Sequence, residues 1–483
     1  MTQTPQRHTR EDQIGGYLAG ARWFGGKGRP FEVTDVTRLA VLEGERSVAI
    51  DVVTVTYGDG REGASAEWEQ YQLPLSLVAD SDPALDHAFV GWWEDPDLGW
   101  VHAYDAAHDR QACAQLLQGF ADEQTVDRIG FHRLPGHDLD TDVHSSPFTG
   151  EQSNTSIAFG EDSLLKIFRK LSPGRNPDID IHRVLTEAQC PHIAHLYGWI
   201  EATSTRTGEP VHLAMLQQFL RTATDGWDLA CASVRDLFAE ADLHADEVGG
   251  DFAAESARLG EALAEVHATL AAHFETETWD ADELGRLADA MAERLDAAAA
   301  AVPYLTKVAP AIHSVLGRVR ELDQPLTAHR VHGDLHLGQT LRTVFGWKVV
   351  DFEGEPAKAL AERVLPDSPW RDVAGMLRSF DYAAHAVVAD MAPGTEEGRQ
   401  QLEYRAQEWA ERNRGTFLGA YAAAAGFSVP LPPEAQLLLA AYEADKAVYE
   451  AIYEARNRPT WVGIPMAALE RIAALAERKD DDA

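Results

Sequence analysis

Apolar and polar positions alternate along two early stretches of the chain. Ser47 to Tyr57 reads Ser-Val-Ala-Ile-Asp-Val-Val-Thr-Val-Thr-Tyr, a turn follows at Gly58-Asp59-Gly60, and Trp68 to Pro74 resumes the pattern. A period of two puts successive side chains on opposite faces, so these stretches predict a β-hairpin within a small α+β unit that closes near residue 100. Asp109 to Phe120 has helical spacing, and Thr125 to Leu134 reads as one strand. Glu151 to Phe159 and Ser163 to Phe168, joined by Gly160-Glu161-Asp162, predict a second hairpin that carries Lys166 between Leu165 and Ile167. Pro177 stands where a first helical turn accepts proline, and Val211 to Phe219 reads as a further strand. From about residue 233 the period becomes helical: Leu259, Leu263, Val266 and Leu270 share one face, and Ala288 to Ala301 continues the pattern. Glu434 to Asn457 sets Tyr442, Lys446, Tyr449, Tyr453 and Arg456 on one side of a last long helix.

Composition narrows the class. A chain of 483 residues exceeds one ordinary core, and the pattern suggests divisions at 1–105, 106–220 and 221–483. Lys and Arg number 42 against 78 Asp and Glu, a formal charge of -36, so the average surface repels nucleic acid and anionic membranes, and neither is expected as a partner. Cys113, Cys190 and Cys231 are widely spaced, which argues against a disulfide framework or a zinc site and fits a reducing cytoplasm. Met1 to Gln13 has no apolar core of signal-peptide type, and no run of eighteen apolar residues occurs, so a soluble, cytoplasmic protein is expected.

The candidate chemistry lies in Val331-His332-Gly333-Asp334-Leu335-His336-Leu337-Gly338-Gln339, followed by Asp351-Phe352-Glu353 at the end of the apolar run Trp347 to Val350. Phosphoryl transfer needs a carboxylate beside the attacking hydroxyl and oxygen ligands that hold Mg²⁺ against the nucleotide phosphates. Asp334 is positioned as the base, and Gln339 and Asp351 as metal ligands. Upstream, Lys166 in its strand fits a phosphate-pairing lysine, and Ser153, Asn154, Thr155 and Ser156 stand where a glycine-rich loop would supply donors. An acid must hold that lysine, for which Asp180 is the first choice and Asp178 the second. Gln217 and Phe219 end the strand that leads to a hinge able to read adenine through its backbone. The basic glycine-rich turn Arg22 to Arg29 follows no apolar strand and reads as structural, and His267 as a packed or surface histidine.

These motifs, with Ser233 to Phe238, Arg371-Asp372-Val373-Ala374-Gly375 and Asp445-Lys446-Ala447-Val448-Tyr449-Glu450, make the chain resemble the actinobacterial maltokinases, relatives of the aminoglycoside phosphotransferases. The resemblance implies an α+β, bilobal protein-kinase-like fold with an N-terminal cap subdomain and a mainly helical C-lobe. It implies transfer of phosphate from ATP, with Mg²⁺, to the anomeric hydroxyl of maltose, for α-glucan synthesis. It also implies that Asp334, His336, Lys446, Tyr449 and Tyr453 hold the sugar, and that a trehalose synthase is a partner. Glucosamine is the alternative acceptor, and a silent nucleotide-binding scaffold the alternative class.

Overall fold

A computed structural model describes residues 9–58, 67–148, 153–204, 206–240, 243–356, 358–391 and 395–481. The expected turn residues Asp59 and Gly60 lie outside them. Backbone contacts divide the chain into two units, Met1–Arg183 with Ala194–Arg221, and Val184–Ile193 with Thr222–Ala483.

The first unit opens with α1 (Arg10–Gly20), started by a capping box between Thr9 and Asp12. Then come β1 (Phe31–Leu42), β2 (Ser47–Tyr57), β3 (Glu67–Val78), β4 (Phe89–Asp95) and β5 (Gly99–Asp105). They pair antiparallel in the order β1-β2-β3-β5-β4. Ile14 and Leu18 of α1 share a core with Val53, Val55, Tyr71 and Leu73 of the sheet. In the turn Arg22 to Arg29, Trp23 and Phe24 are buried, and a Cβ on Gly26 would lie 2.5 Å from the Tyr57 hydroxyl, so this turn serves packing.

A second sheet is built from β6 (Thr125–Val126), β7 (Ile129–Arg133), β8 (Ser145–Pro147), β9 (Asn154–Phe159), β10 (Ser163–Phe168), β12 (Leu196–Thr203) and β13 (Pro210–Gln218), in the order β6-β7-β12-β13-β10-β9-β8. β11 (Lys170–Leu171) pairs instead with β3. The single strand expected over Thr125 to Leu134 is two, because Asp127 turns the chain with φ 49°. Between the sheets α2 (Arg110–Ala121), capped by Asp109, buries Leu116, Leu117 and Phe120 in a core shared with Val48, Ile157 and Leu165. α3 (Pro177–Glu187) follows the second hairpin.

The second unit is mainly helical: α4 (Gly226–Ala239), α5 (Ala253–His273), α6 (Ala281–Ala301), α7 (Ala309–Arg320), α8 (Leu360–Arg363), α9 (Trp370–Met391), α10 (Glu396–Ala424), α11 (Pro433–Asn457) and α12 (Gly463–Asp481). Leu259, Leu263, Val266 and Leu270 of α5 are all buried, as their spacing predicts. β14 (Thr224–Asp225), β17 (Thr340–Thr343) and β18 (Gly346–Val349) form one small sheet, and β15 (Glu277–Trp279) pairs with β16 (Leu326–Ala328). The three cysteines are free and buried, and no helix among the described residues is long and apolar enough to cross a membrane.

Candidate active site

In the first unit Lys166 stands on β10 opposite Ser156 of β9 and Met215 of β13. Its Nζ donates to Asp178 Oδ2 at 3.0 Å. Asp178, in the first turn of α3, donates its own N–H to Asn176 Oδ1, and His182 Nδ1 lies 3.0 Å from its other carboxylate oxygen. Burial alone would raise the Asp178 carboxyl, but the Lys166 ammonium and His182 hold it well below the usual range. This corrects the first choice of acid. Asp180 lies two positions on, so about 200° round the helix, and its nearest cation is Arg175 at 3.8 Å.

The neighbouring expectations divide. Ser153 is exposed and Asn154 partly buried, whereas Ser156 is buried on the face of β9 that Lys166 shares. The Thr155 hydroxyl accepts from Arg169 Nε at 2.8 Å, and that guanidinium also holds Asp105, so Thr155 ties the hairpin to the first sheet. Gln217 is half-buried at the end of β13, opposite Leu164. The Phe219 N–H is donated to the Asp162 carbonyl, so that amide is not offered to a base.

In the second unit the loop between β16 and β17 is held from below by Asp372 of α9. Its carboxylate accepts the N–H groups of His332 at 2.7 Å and Gly333 at 2.8 Å, and His267 Nε2 lies at 3.1 Å. Burial would raise this carboxyl, yet the His267 bond and the loop amides keep it low. Gly333 has φ +85°, a region that suits glycine. His332 Nε2 lies 3.0 Å from the Val350 carbonyl while its Nδ1 accepts the Asp334 N–H, so one ring fixes the base to the strand that precedes Asp351. Gln339 Nε2 donates to Asp351 Oδ2 at 3.0 Å, which brings the two expected metal ligands together. Two oxygen-bearing side chains and no sulfur suit a hard cation such as Mg²⁺.

Lys446 of α11 donates to Asp334 Oδ1 at 3.0 Å. Burial would lower the Lys446 ammonium, but Asp334 beside it raises it, so it stays charged. A cavity of about 330 Å³ opens here, lined by Asp334, Lys446, Tyr449, Tyr442, Arg294, Asp445, Glu355, Lys358 and Arg371. Arg294 pairs with Asp445 at 2.8 Å, and Arg371 pairs with Glu355 while its Nε donates to the Gly333 carbonyl. Two expected sugar residues stand outside this lining. His336 turns its Nδ1 back to accept the Gly338 N–H, and Tyr453 packs its ring under Arg458. Arg294, Glu355, Lys358 and Arg371 were not anticipated. Arg371 opens a motif segment and Glu355 lies two residues beyond Asp351-Phe352-Glu353, whereas Arg294 on an alanine-rich helix carries no sequence signal.

Comparison with known proteins agrees with this architecture. Residues 17–109 match the maltokinase N-terminal cap domain. The chain is 30% identical over 361 residues to a glucosamine kinase of Streptacidiphilus jiangxiensis, covering 71% of this chain and 77% of the relative. It is 28% identical over 341 residues to one of Mycolicibacterium smegmatis, covering 67% and 78%. A solved glucosamine kinase in complex with glucosamine, ADP and inorganic phosphate superposes with TM-score 0.66 at 22% identity, over 97% of this chain and 100% of that one. The likeness shows the protein-kinase-like α+β fold.

Proposed function

Because the chain belongs to the family of cap-bearing sugar kinases that includes the glucosamine kinases, we propose that it transfers phosphate from ATP to the anomeric hydroxyl of maltose. The observation that carries the acceptor is the charge of the cavity beside Asp334. Its lining cations are Arg294, Lys358, Arg371 and Lys446, against the carboxylates Asp334, Glu355 and Asp445, each of which already holds a cation. Among the described lining residues no carboxylate is left unpaired for the ammonium of an amino sugar, since Arg371 and Lys358 also share Glu355 and Arg371 reaches Asp367 as well. A neutral sugar meets donors and acceptors already fixed in place, and the half-exposed Tyr449 offers a ring face.

Asp334 orients the hydroxyl and accepts its proton, while Lys446 keeps the carboxylate aimed. Because the transition state is loose, positioning and charge neutralisation do more than base strength. Lys166, held by Asp178, pairs with the nucleotide phosphates. Gln339 and Asp351 would hold Mg²⁺, which would neutralise phosphate charge. The product, maltose 1-phosphate, has no reducing end and is a donor for α-glucan synthesis.

The second reading is glucosamine, favoured by the names of the relatives at 30% and 28% identity. An ADP-release assay with maltose, glucose and glucosamine, paired with a reducing-end assay, separates them. The proposal expects kcat/KM for maltose to exceed that for glucosamine by about tenfold or more, as one unmet buried charge requires, with loss of reducing ends. Turnover of glucosamine alone would overturn it.

A further inference from the structure

A cavity of about 1080 Å³ opens among α9, α10, the turn Pro459–Trp461 and α12, against about 330 Å³ beside Asp334. Phosphoryl transfer uses none of its residues. Its floor is a buried ion-pair cluster. Asp381 accepts from Arg378 at 2.7 Å, Arg471 at 3.1 Å and Arg414 at 3.2 Å, and Glu443 accepts from Arg414 and Arg471 at 2.8 and 2.7 Å. Higher on the walls, Gln407 donates to Glu411 at 2.8 Å, and Arg399 pairs with Glu403. The charged side chains that line this space are therefore partnered, so an ionic ligand finds no free charge to neutralise. What remains are fixed donors and acceptors, together with the ring of Tyr404, 66% exposed, and that of Trp461, which carries Arg458 over one face at 4.4 Å. Ring faces beside interleaved donors and acceptors recognise a neutral polyhydroxylated molecule.

The floor also leads to the base. Arg378 donates to Glu450 at 2.8 and 2.9 Å, Glu450 lies one turn from Lys446 on α11, and Lys446 donates to Asp334 at 3.0 Å. We propose that this cavity is a second saccharide site, taking a neutral oligosaccharide, whose occupancy is felt at Asp334 through Arg378, Glu450 and Lys446. The inference goes beyond the phosphotransfer reading and does not need maltose to be the acceptor.

The test uses maltotriose as probe and ligand-detected NMR on the full chain. In Lys446→Ala, whose acceptor cavity is impaired, maltotriose should still bind. Adding Tyr404→Ala or Trp461→Ala should weaken that binding by about tenfold or more, the scale of a lost ring contact with its hydrogen bonds. Tyr404 projects into solvent, so its removal leaves the fold intact even if Trp461→Ala does not. In steady-state assays maltotriose should change the acceptor KM differently in the wild type and in Tyr404→Ala. Absence of maltotriose binding to Lys446→Ala, or binding that neither aromatic substitution weakens, would overturn the site. An equal KM response in the wild type and Tyr404→Ala would overturn the coupling. Because the binding arm needs no turnover, its failure is distinguishable from failure of the maltose assignment.

Discussion

Asp334 and Lys446 are joined at 3.0 Å, so both substitutions should touch the chemistry, Asp334→Asn by removing the base and Lys446→Ala less, by loosening its aim. Asp334→Asn is expected to lower kcat by roughly 10²–10⁴, the range of a lost general base, with the melting temperature little changed. Retention of a tenth of wild-type kcat would remove Asp334 from its role. Lys446→Ala should raise the acceptor KM by about tenfold, because a charge-assisted contact to a hydroxyl is worth roughly 1.5–3 kcal/mol, while the KM for ATP stays put. A variant that melts early with normal KM would mark Lys446 as a packing residue. A pH effect is expected from His329, which is buried and whose ring lies beside His267. Burial, with His267 adding to it, holds its imidazole below the ordinary value. The unfolded chain takes up this proton near pH 6.5 and the folded chain only lower, so stability should decline as pH falls below about 6.5, by up to ~1.4 kcal/mol per pH unit per such group. His108, His212 and His336 are lowered in the same sense. His329→Gln should flatten the decline, and an unchanged slope would show that its ring titrates normally. At this scale the sequence could place an acid for Lys166 in the first turn of α3 but could not choose it. Asp178 and Asp180 have the same chemistry there, and only burial beside Lys166 distinguishes them.

The catalytic loop owes its placement to elements that approach closely. A Cβ on Gly375 of α9 would lie 2.5 Å from the Leu335 carbonyl, next to Asp334. Real Cβ atoms do not tolerate that distance from a backbone oxygen, so Gly375→Ala must move either the helix or the loop. It should lower kcat by about tenfold or more through misplacement of the base, with a loss of stability of roughly 1–3 kcal/mol from overpacking. Full activity would mean that the loop shifts without consequence for Asp334. The elements themselves were legible where one period dominates: the hairpins β2–β3 and β9–β10, and the buried face of α5. They were not legible where a single residue breaks a run, as Asp127 does between β6 and β7. Nor were pairings legible that join distant helices, such as Arg294 of α6 with Asp445 of α11. Such contacts depend on how helices pack, which a local pattern does not encode. The residues that spacing sets on one face of α11 separate in role. Tyr442, Lys446 and Tyr449 line the cavity, Tyr442 from a buried position where it donates to Asp367 at 2.8 Å, and Tyr453 does not.

At the scale of the whole molecule the charge of -36 creates a field that opposes an approaching nucleotide, while the cavity beside Asp334 carries more lining cations than carboxylates. The two effects act over different ranges. The general field is screened as the Debye length falls from about 30 Å at 10 mM salt to about 8 Å at 150 mM, whereas contacts of a few ångströms inside a partly buried cavity are screened far less. Raising salt over that interval should therefore lower the KM for ATP, because repulsion of a polyanion is relieved before its local contacts weaken. The acceptor should report its own charge. A neutral disaccharide feels no long-range field, so the KM for maltose should stay flat. A cationic amino sugar is drawn in by the same negative surface, so the KM for glucosamine should rise with salt. Parallel salt titrations at fixed Mg²⁺, varying ATP and acceptor in turn, thus read the donor and the acceptor by charge alone. A KM for ATP that rises from the lowest salt onward would show that local cations outweigh the surface field. An acceptor KM that climbs with salt would favour the amino sugar over maltose.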